Sequence, residues 1–299
     1  MHMFDFLEKK GAGPELAELM VELSEACKRI SGIIDKTSTG KAGTQNVFGE
    51  DQLALDVQAE EIIQSHLKSC PFVKNFCSEE LSEMLDAQAD GKFGVYYDPL
   101  DGSSLVNVNM AVGTIVGIYE GGEIVGRTAR EQVAAMFAVY GPRTTLMMTI
   151  GGGVHEFTLV DGVWEVTDED VKMDGKKNYF APGNLRATKE REDYFELINW
   201  FMKEQYTLRY SGGMVPDINH ILKKGSGVFI YPGMPGAENG KLRLLYECGP
   251  MAMIMEQAGG AASAGDKAVL DVEVEELVQR TPIFIGSKKE VERCEEKLG

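Results

Sequence analysis

Apolar positions along the chain fall into two regimes. From 14 to 35 (PELAELMVELSEACKRISGIID) they return every three or four residues, which predicts an amphipathic helix with Pro14 in its first turn. A loop rich in Gly, Thr and Ser follows at 37–49, and helical spacing resumes over 53–69. Phe93 to Tyr97 reads as a strand, and short apolar runs recur at 111–119, 132–140, 144–150 and 155–160. Gly-Gly, Gly-Pro and triple-Gly turns separate those runs, a rhythm that predicts an antiparallel meander rather than alternating βαβ units. The pattern changes near residue 180. Helices are predicted over 189–204 and 249–258, the second stopped by Gly259-Gly260, with a buried strand at 226–231. Pro282 to Ile285 is a last strand, and 288–298 a charged helix. No fixed-period repeat, low-complexity tract or flexible linker is present. The expectation is two closely packed α/β lobes, residues 1–179 and 180–299, the first richer in antiparallel sheet.

Composition narrows the function. The 299 residues are 43% hydrophobic and 26% charged, enough apolar mass for a sizeable core. Thirty basic against 47 acidic residues leave a net charge of −17, which repels nucleic-acid backbones and anionic lipid alike. No nucleic-acid or membrane partner is therefore expected. The most apolar stretch, Val133 to Ile150, is cut by Gly141, Pro142 and Arg143, too soon for a membrane span. Met1 to Lys10 carries acids and lacks an apolar core, so no signal peptide is predicted. Five cysteines without a CxxC predict a reduced, cytoplasmic setting. Cys70 and Cys77, separated by six residues, are read as ordinary thiols or as a redox pair.

The candidate chemistry lies in the carboxylates. The strand at 93–97 runs into Asp98-Pro99-Leu100-Asp101-Gly102-Ser103-Ser104, which sets two acids three residues apart at a strand exit. Pro99 fixes the local backbone and Gly102 permits a tight turn. Hard cations such as Mg²⁺ take carboxylate and carbonyl oxygens and share them with substrate phosphate. Asp98, Asp101 and the Leu100 carbonyl offer three such oxygens, and the amides of Gly102, Ser103 and Ser104 would face a phosphate, particularly if a short helix starts there. The plainer reading is an Asx turn with serine caps. Glu79-Glu80 after an apolar run, Asp56 between Leu55 and Val57, and Glu247 within Leu244–Cys248 add acids in buried-looking places. Buried carboxylates are usually paired or bound to metal. An ion pair with Arg243 is the alternative for Glu247. Taken together, these acids point to a site for phosphoryl transfer with two or three metal ions.

The second half supplies the opposite charge. Arg209, Lys241 and Arg243 lie beside glycines or strands, and Tyr231 and Tyr246 are candidates to stack on a sugar or donate a hydroxyl. Surface arginines and core tyrosines are the plainer reading. No GxxxxGK[ST], HExxH, strand-linked GxGxxG or GxSxG occurs, and the four histidines are scattered. Gly151-Gly152-Gly153 reads as a hairpin turn.

The segment 98–104 resembles the metal-binding signature of the Mg²⁺-dependent sugar- and inositol-phosphatase superfamily. GKLRLLYECGPMAMIMEQAGG (240–260) is similar to class I fructose-1,6-bisphosphatases and has no counterpart in inositol monophosphatases. The resemblance runs from about Gly49 to Ser287. Three stretches, 131–145, 180–188 and 206–219, are closer in wording to the sedoheptulose-1,7-bisphosphatase branch. The resemblance implies a layered α/β (α+β) sandwich, with the metal site in the first lobe and the sugar-phosphate site in the second. It implies metal ligation by Glu79, Glu80, Asp98, Asp101, Glu247 and the carbonyl of Leu100. Asp56 and Glu80 would activate the attacking water, with Asp101 in the same machinery, and Glu50 or Asp51 would be a further loop carboxylate. Gly102, Ser103 and Ser104 would cradle the hydrolysed phosphate, and Tyr210, Tyr231 and Lys241 would hold the distal phosphate and sugar. Arg209 would reach into a neighbouring subunit's site, making a homo-oligomer, a homotetramer.

Two departures follow. Ala181-Pro182-Gly183-Asn184 stands where many members have Asn-Glu-Gly-Asn, so one distal-phosphate contact is lost or passes to Asn184 or Arg186. Gly13-Pro14-Glu15-Leu16 and Lys92-Phe93 replace patterns of the AMP-inhibited members, so AMP inhibition is not expected. The expected activity is Mg²⁺-dependent hydrolysis of fructose 1,6-bisphosphate at its 1-phosphate, with Mn²⁺ able to substitute. Sedoheptulose 1,7-bisphosphate, or both sugars, is the alternative. A catalytically silent sugar-phosphate sensor is a remote third reading, disfavoured because all five ligand side chains are present.

Overall fold

The computed structural model describes residues 2–34, 36–37, 41–45, 51–176 and 178–299, with only the backbone at 41–45 and 51–52. Seven helices are described: α1 (Met3–Lys9), α2 (Pro14–Ile34), α3 (Ala54–Ser69), α4 (Glu192–Lys203), α5 (Met214–Lys224), α6 (Gly249–Gln257) and α7 (Lys288–Leu298). Beyond the small hairpin β1 (Lys41–Gln45) and β2 (Asp51–Leu53), the strands form two sheets.

The larger sheet contains β3 (Val73–Ser78), β4 (Leu85–Asp86), β5 (Phe93–Asp101), β6 (Val112–Glu120), β7 (Gln132–Tyr140), β8 (Thr144–Thr149), β9 (His155–Val160) and β10 (Val163–Asp168). Its order, β10-β9-β8-β7-β6-β5-β3-β4, is the predicted antiparallel meander, with β3 added parallel to β5. The smaller sheet holds β11 (Tyr179–Pro182), β12 (Thr207–Leu208), β13 (Val228–Tyr231), β14 (Ala261–Ser263) and β15 (Ile283–Gly286), in the order β12-β11-β13-β15-β14.

Alternation along the strands shows how these pieces stack. Val95 and Tyr97 pack with α1, α2 and α3, whereas Tyr96 between them packs with α5 and α6. Phe229 and Ile285 join that same middle core, whereas Val228, Ile230 and Phe284 turn outward to α4 and α7. The central strands of both sheets are thus buried on both faces, whereas the edge strands β10 and β12 are partly exposed. The fold is a mixed α/β sandwich of five layers: helices, large sheet, helices α5 and α6, small sheet, helices. This explains why β7 shows an almost unbroken apolar run (VAAMFAVY) in place of polar–apolar alternation.

Among the elements that the apolar pattern did not single out are α1, α5 and β10, the strand that forms a hairpin with the expected β9. The hairpin closes through Asp161-Gly162, both with positive φ, a two-residue turn whose wording was present in the sequence. The redox pairing of Cys70 and Cys77 is overturned. Cys70 lies in the core under α2 and α3, and Cys77 lies on the opposite face of the large sheet. All five thiols are buried and free. Treating the folded protein with a disulfide-forming oxidant is expected to leave its mass and activity unchanged; a Cys70–Cys77 crosslink in a peptide map would contradict this placement.

Candidate active site

β5 ends in a bulge that brings its acids to one side. Side chains three apart on a regular strand point to opposite faces, which would separate Asp98 from Asp101. Asp98 pairs with Ile115 and Asp101 with Gly113, so three steps on β5 oppose two on β6. The extra residue re-aims the chain, and both acids line a single cavity of about 330 Å³. Thr114 Oγ1 donates to the Pro99 carbonyl (2.8 Å) and Asp98 Oδ1 accepts the Leu100 amide (2.9 Å), which hold the bulge. Gly102 follows at φ 75°, and a 3₁₀ turn, Ser103–Val108, begins as the sequence suggested. Leu100, Gly102, Ser103 and Ser104 all line the cavity.

Two further elements converge on these acids. Glu79 and Glu80 follow directly on β3, whose parallel pairing with β5 sets Ser78 beside Tyr97. Glu247 sits in a π-helical turn, Leu244–Cys248, in which the Cys248 amide bonds back to the Arg243 carbonyl (2.9 Å). Such widened turns often mark functional sites, because they project one side chain out of helical register. Glu79, Asp98 and Glu247 each offer an oxygen within 4.8 Å of the others, the one such grouping among the described residues. Arg243 meets Glu247 through its backbone, and its charge favours the ionised Glu247. The Arg243 amide donates to Glu247 Oε2 (2.6 Å), whereas its guanidinium lies 3.6 Å from Glu79 Oε1.

The electrostatics of this cavity call for a cation. Burial, then the neighbouring carboxylates led by Glu79, pushes Asp98 and Glu247 well above the usual carboxylate range. Burial raises Asp101 to about 6, even though its Oδ2 accepts the Val215 amide (2.8 Å) in the first turn of α5. That contact depends on Gly113, where a Cβ would stand 2.4 Å from both the Val215 Cγ1 and the Ala138 carbonyl. An all-oxygen donor set of this kind, without His or Cys, fits a hard divalent cation, and a cation would relieve the mutual repulsion.

The remaining predicted residues separate into two groups. Tyr210, Tyr231 and Lys241 line the same cavity as the acids, together with Gly212, Met214, Phe229 and Leu242, which the sequence reading did not single out. Asp56, buried in the first turn of α3, accepts the Leu53 amide (2.9 Å) and the Ser103 hydroxyl, so it abuts the turn from behind. Asn184 does not line the cavity; its amide donates to the Pro232 carbonyl (3.1 Å). Arg209 is exposed and lies outside its own chain's cavity. Tyr246 is no sugar contact: it is fully buried, with its hydroxyl 3.2 Å from Cys77 Sγ. Lys92 is ion-paired with Glu15, and Phe93 is buried. Glu50 and the Asp51 side chain lie outside the described residues.

This geometry matches a known family over nearly its whole length. The family descriptions "Fructose-1-6-bisphosphatase, N-terminal domain" and "Fructose-1-6-bisphosphatase, C-terminal domain" match residues 4–169 and 173–299. The chain belongs to the fructose-1,6-bisphosphatase family. A class 1 fructose-1,6-bisphosphatase of Citrifermentans bemidjiense is 48% identical over 92% of this chain and 85% of that protein. The chloroplastic sedoheptulose-1,7-bisphosphatase of Spinacia oleracea is 44% identical over 97% of this chain and 77% of its own. Among solved structures, a Toxoplasma gondii protein provisionally named sedoheptulose-1,7 bisphosphatase superposes with TM-score 0.94 at 34% identity, covering 100% of this chain and 98% of that one. The fructose-1,6-bisphosphatase family member described here is a phosphatase, a hydrolase of carbohydrate metabolism. None of its described helices is long and apolar enough to cross a membrane.

Proposed function

We propose that this phosphatase hydrolyses the 1-phosphate of fructose 1,6-bisphosphate in a Mg²⁺-dependent reaction that yields fructose 6-phosphate and phosphate. The observation that carries the reading is the meeting of Glu79, Asp98, Glu247 and Asp101 with the 102–104 turn in one cavity that Tyr210, Tyr231 and Lys241 also line. Glu79, Glu80, Asp98, Asp101, Glu247 and the Leu100 carbonyl would hold two or three Mg²⁺ ions, with Mn²⁺ as a substitute. When bound, such ions neutralise phosphate charge, lower the pKa of a coordinated water and stabilise the leaving alkoxide. The chain's own groups do the rest. Gly102, Ser103 and Ser104 orient the reacting phosphate, and Asp56 and Glu80 take up the proton of the attacking water. Lys241 and the two tyrosines grip the distal phosphate and sugar, so binding remote from the reaction positions the reacting end.

In this reading residues 1–179 carry the metal site, to which Glu247 is added from the second lobe, and 180–299 carry the sugar-phosphate site. Arg186, close enough to lower the pKa of Tyr210, takes the distal-phosphate role left open at 181–184. The exposed Arg209 completes the site of a neighbouring subunit in a homotetramer, and five buried free thiols suit the cytoplasm.

A second reading, hydrolysis of sedoheptulose 1,7-bisphosphate alone or alongside fructose 1,6-bisphosphate, is favoured by the Spinacia oleracea likeness and by Ala181–Asn184. Phosphate release with Mg²⁺, measured side by side on the two sugars, separates them. A kcat/KM ratio above about ten, or about 1.4 kcal/mol at the transition state, names the substrate. Comparable values establish dual specificity, and no release from either sugar refutes both readings.

A further inference from the structure

Buried acids outside the cavity are matched to evident partners, with one exception. Glu156 meets Lys223, Glu290 meets Arg293, and Asp217 accepts the Ser211 amide. Glu60, on the buried stripe of α3 and 7% exposed, is different. Its Oε1 accepts the Tyr97 hydroxyl (2.9 Å) and the Gln64 amide (2.8 Å). Its Oε2 is buried too, and the Ser78 hydroxyl joins Gln64 and Tyr97 in favouring the charged carboxylate.

The position of this group is what gives it meaning. Tyr97 and Ser78 are register partners in the parallel β3–β5 pair, and both turn toward α3, where Ser78 faces the Glu60 carboxylate. The next residue on each strand, Asp98 and Glu79, faces the other side of the sheet and belongs to the acid cluster. Ser78 Oγ also accepts the Glu80 amide (3.2 Å). Glu60 therefore grips, from behind, the two strand exits that deliver the ligands.

We propose that Glu60 is a positioning residue that sets the separation of Glu79 and Asp98, and through it the affinity of the site for divalent cations. The inference rests on the metal-dependent reading above. A purely structural role does not account for it. Burial disfavours the charged form of this carboxylate, and an apolar side chain of similar volume would fill the place without that penalty. Stability and metal affinity are therefore expected to move in opposite directions when the pair is removed.

The test titrates metal-free protein with Mn²⁺ by calorimetry, without substrate, and records thermal unfolding and the Mg²⁺ requirement of turnover. The Glu60→Leu/Tyr97→Phe double variant is expected to unfold at or above the wild-type temperature. It should bind Mn²⁺ about tenfold more weakly, in line with other partners that orient metal ligands. Half-saturating Mg²⁺ should rise in parallel, with kcat at saturating Mg²⁺ and KM for the sugar little changed. Glu60→Gln keeps an acceptor for Tyr97 and should restore most of the affinity. Tyr97→Phe alone should show part of the loss. Unchanged Mn²⁺ affinity in these variants overturns the inference while leaving the metal reading intact. Failure of the wild-type protein to bind Mn²⁺ overturns both.

Discussion

Asp101→Asn leaves a folded protein whose kcat on sugar bisphosphate is reduced by about a thousandfold or more. The fold is retained because an asparagine Oδ1 still accepts the Val215 amide that ties α5 to the bulge of β5. The loss comes from charge. Asp101 shares the cavity with the 102–104 turn, where negative charge accumulates as the phosphate ester breaks. Removing one charged group that acts on a developing charge costs roughly 10²–10³ in rate, and a metal ligand acts on the nucleophile as well. Asp101→Ala should add a fall in thermal stability, because it also removes the acceptor for the first turn of α5. Turnover by Asp101→Asn within tenfold of wild type, at saturating Mg²⁺ and with unchanged circular dichroism, would refute the metal role of Asp101.

Much of the fold was legible because its signals are local. The β7 run and its neighbours, separated by glycine turns, spelled out the meander, and α2, α3 and α7 were written in periodicity. What escaped depends on distant contacts. α5 carries its apolar residues at helical spacing, but Pro216 in its first turn and Gly212-Gly213 before it read as loop. The type of turn at Leu244–Cys248 follows from packing, so the sequence showed Glu247 as buried but not as projected. The bulge that unites Asp98 with Asp101 is likewise a product of pairing with β6, where Gly113 lets α5 approach. Tyr246 stood open between a sugar and the core, and it lies in the core, the plainer reading of a tyrosine in an apolar run. Glu60 was overlooked although its spacing placed it one turn after Asp56 on the buried stripe. An acid on an apolar stripe is a readable signal, and it is the signal that singled out Asp56 between Leu55 and Val57.

Without metal, the same acids make the protein least stable where the enzyme works. A carboxyl that titrates at about 6 in the folded chain and near 3.8 when exposed binds its proton more tightly in the folded state. Its contribution therefore favours folding below pH 4 and is lost as pH rises through 6, after which ionised Asp101 alone costs about 3 kcal/mol. Asp98 and Glu247 are displaced in the same direction and extend the loss to higher pH. Carboxylates lowered by their partners, such as Asp193 beside Arg191, are already ionised throughout this window and add no slope. His155 and His220, held down by burial, act in the opposite sense below about pH 6.5, since the unfolded chain protonates them first. The diagnostic is thus a difference between proteins that share those histidines. Between pH 5 and 8, chelated wild type should lose roughly 5–10 °C more of its melting temperature than chelated Asp101→Asn. Millimolar Mg²⁺ should raise the wild-type melting temperature little at pH 5 and most at pH 8, because binding displaces protons the cluster holds only under acid conditions. Parallel profiles for the two proteins, or a Mg²⁺ effect independent of pH, would show that repulsion among these buried acids is not what the cation relieves.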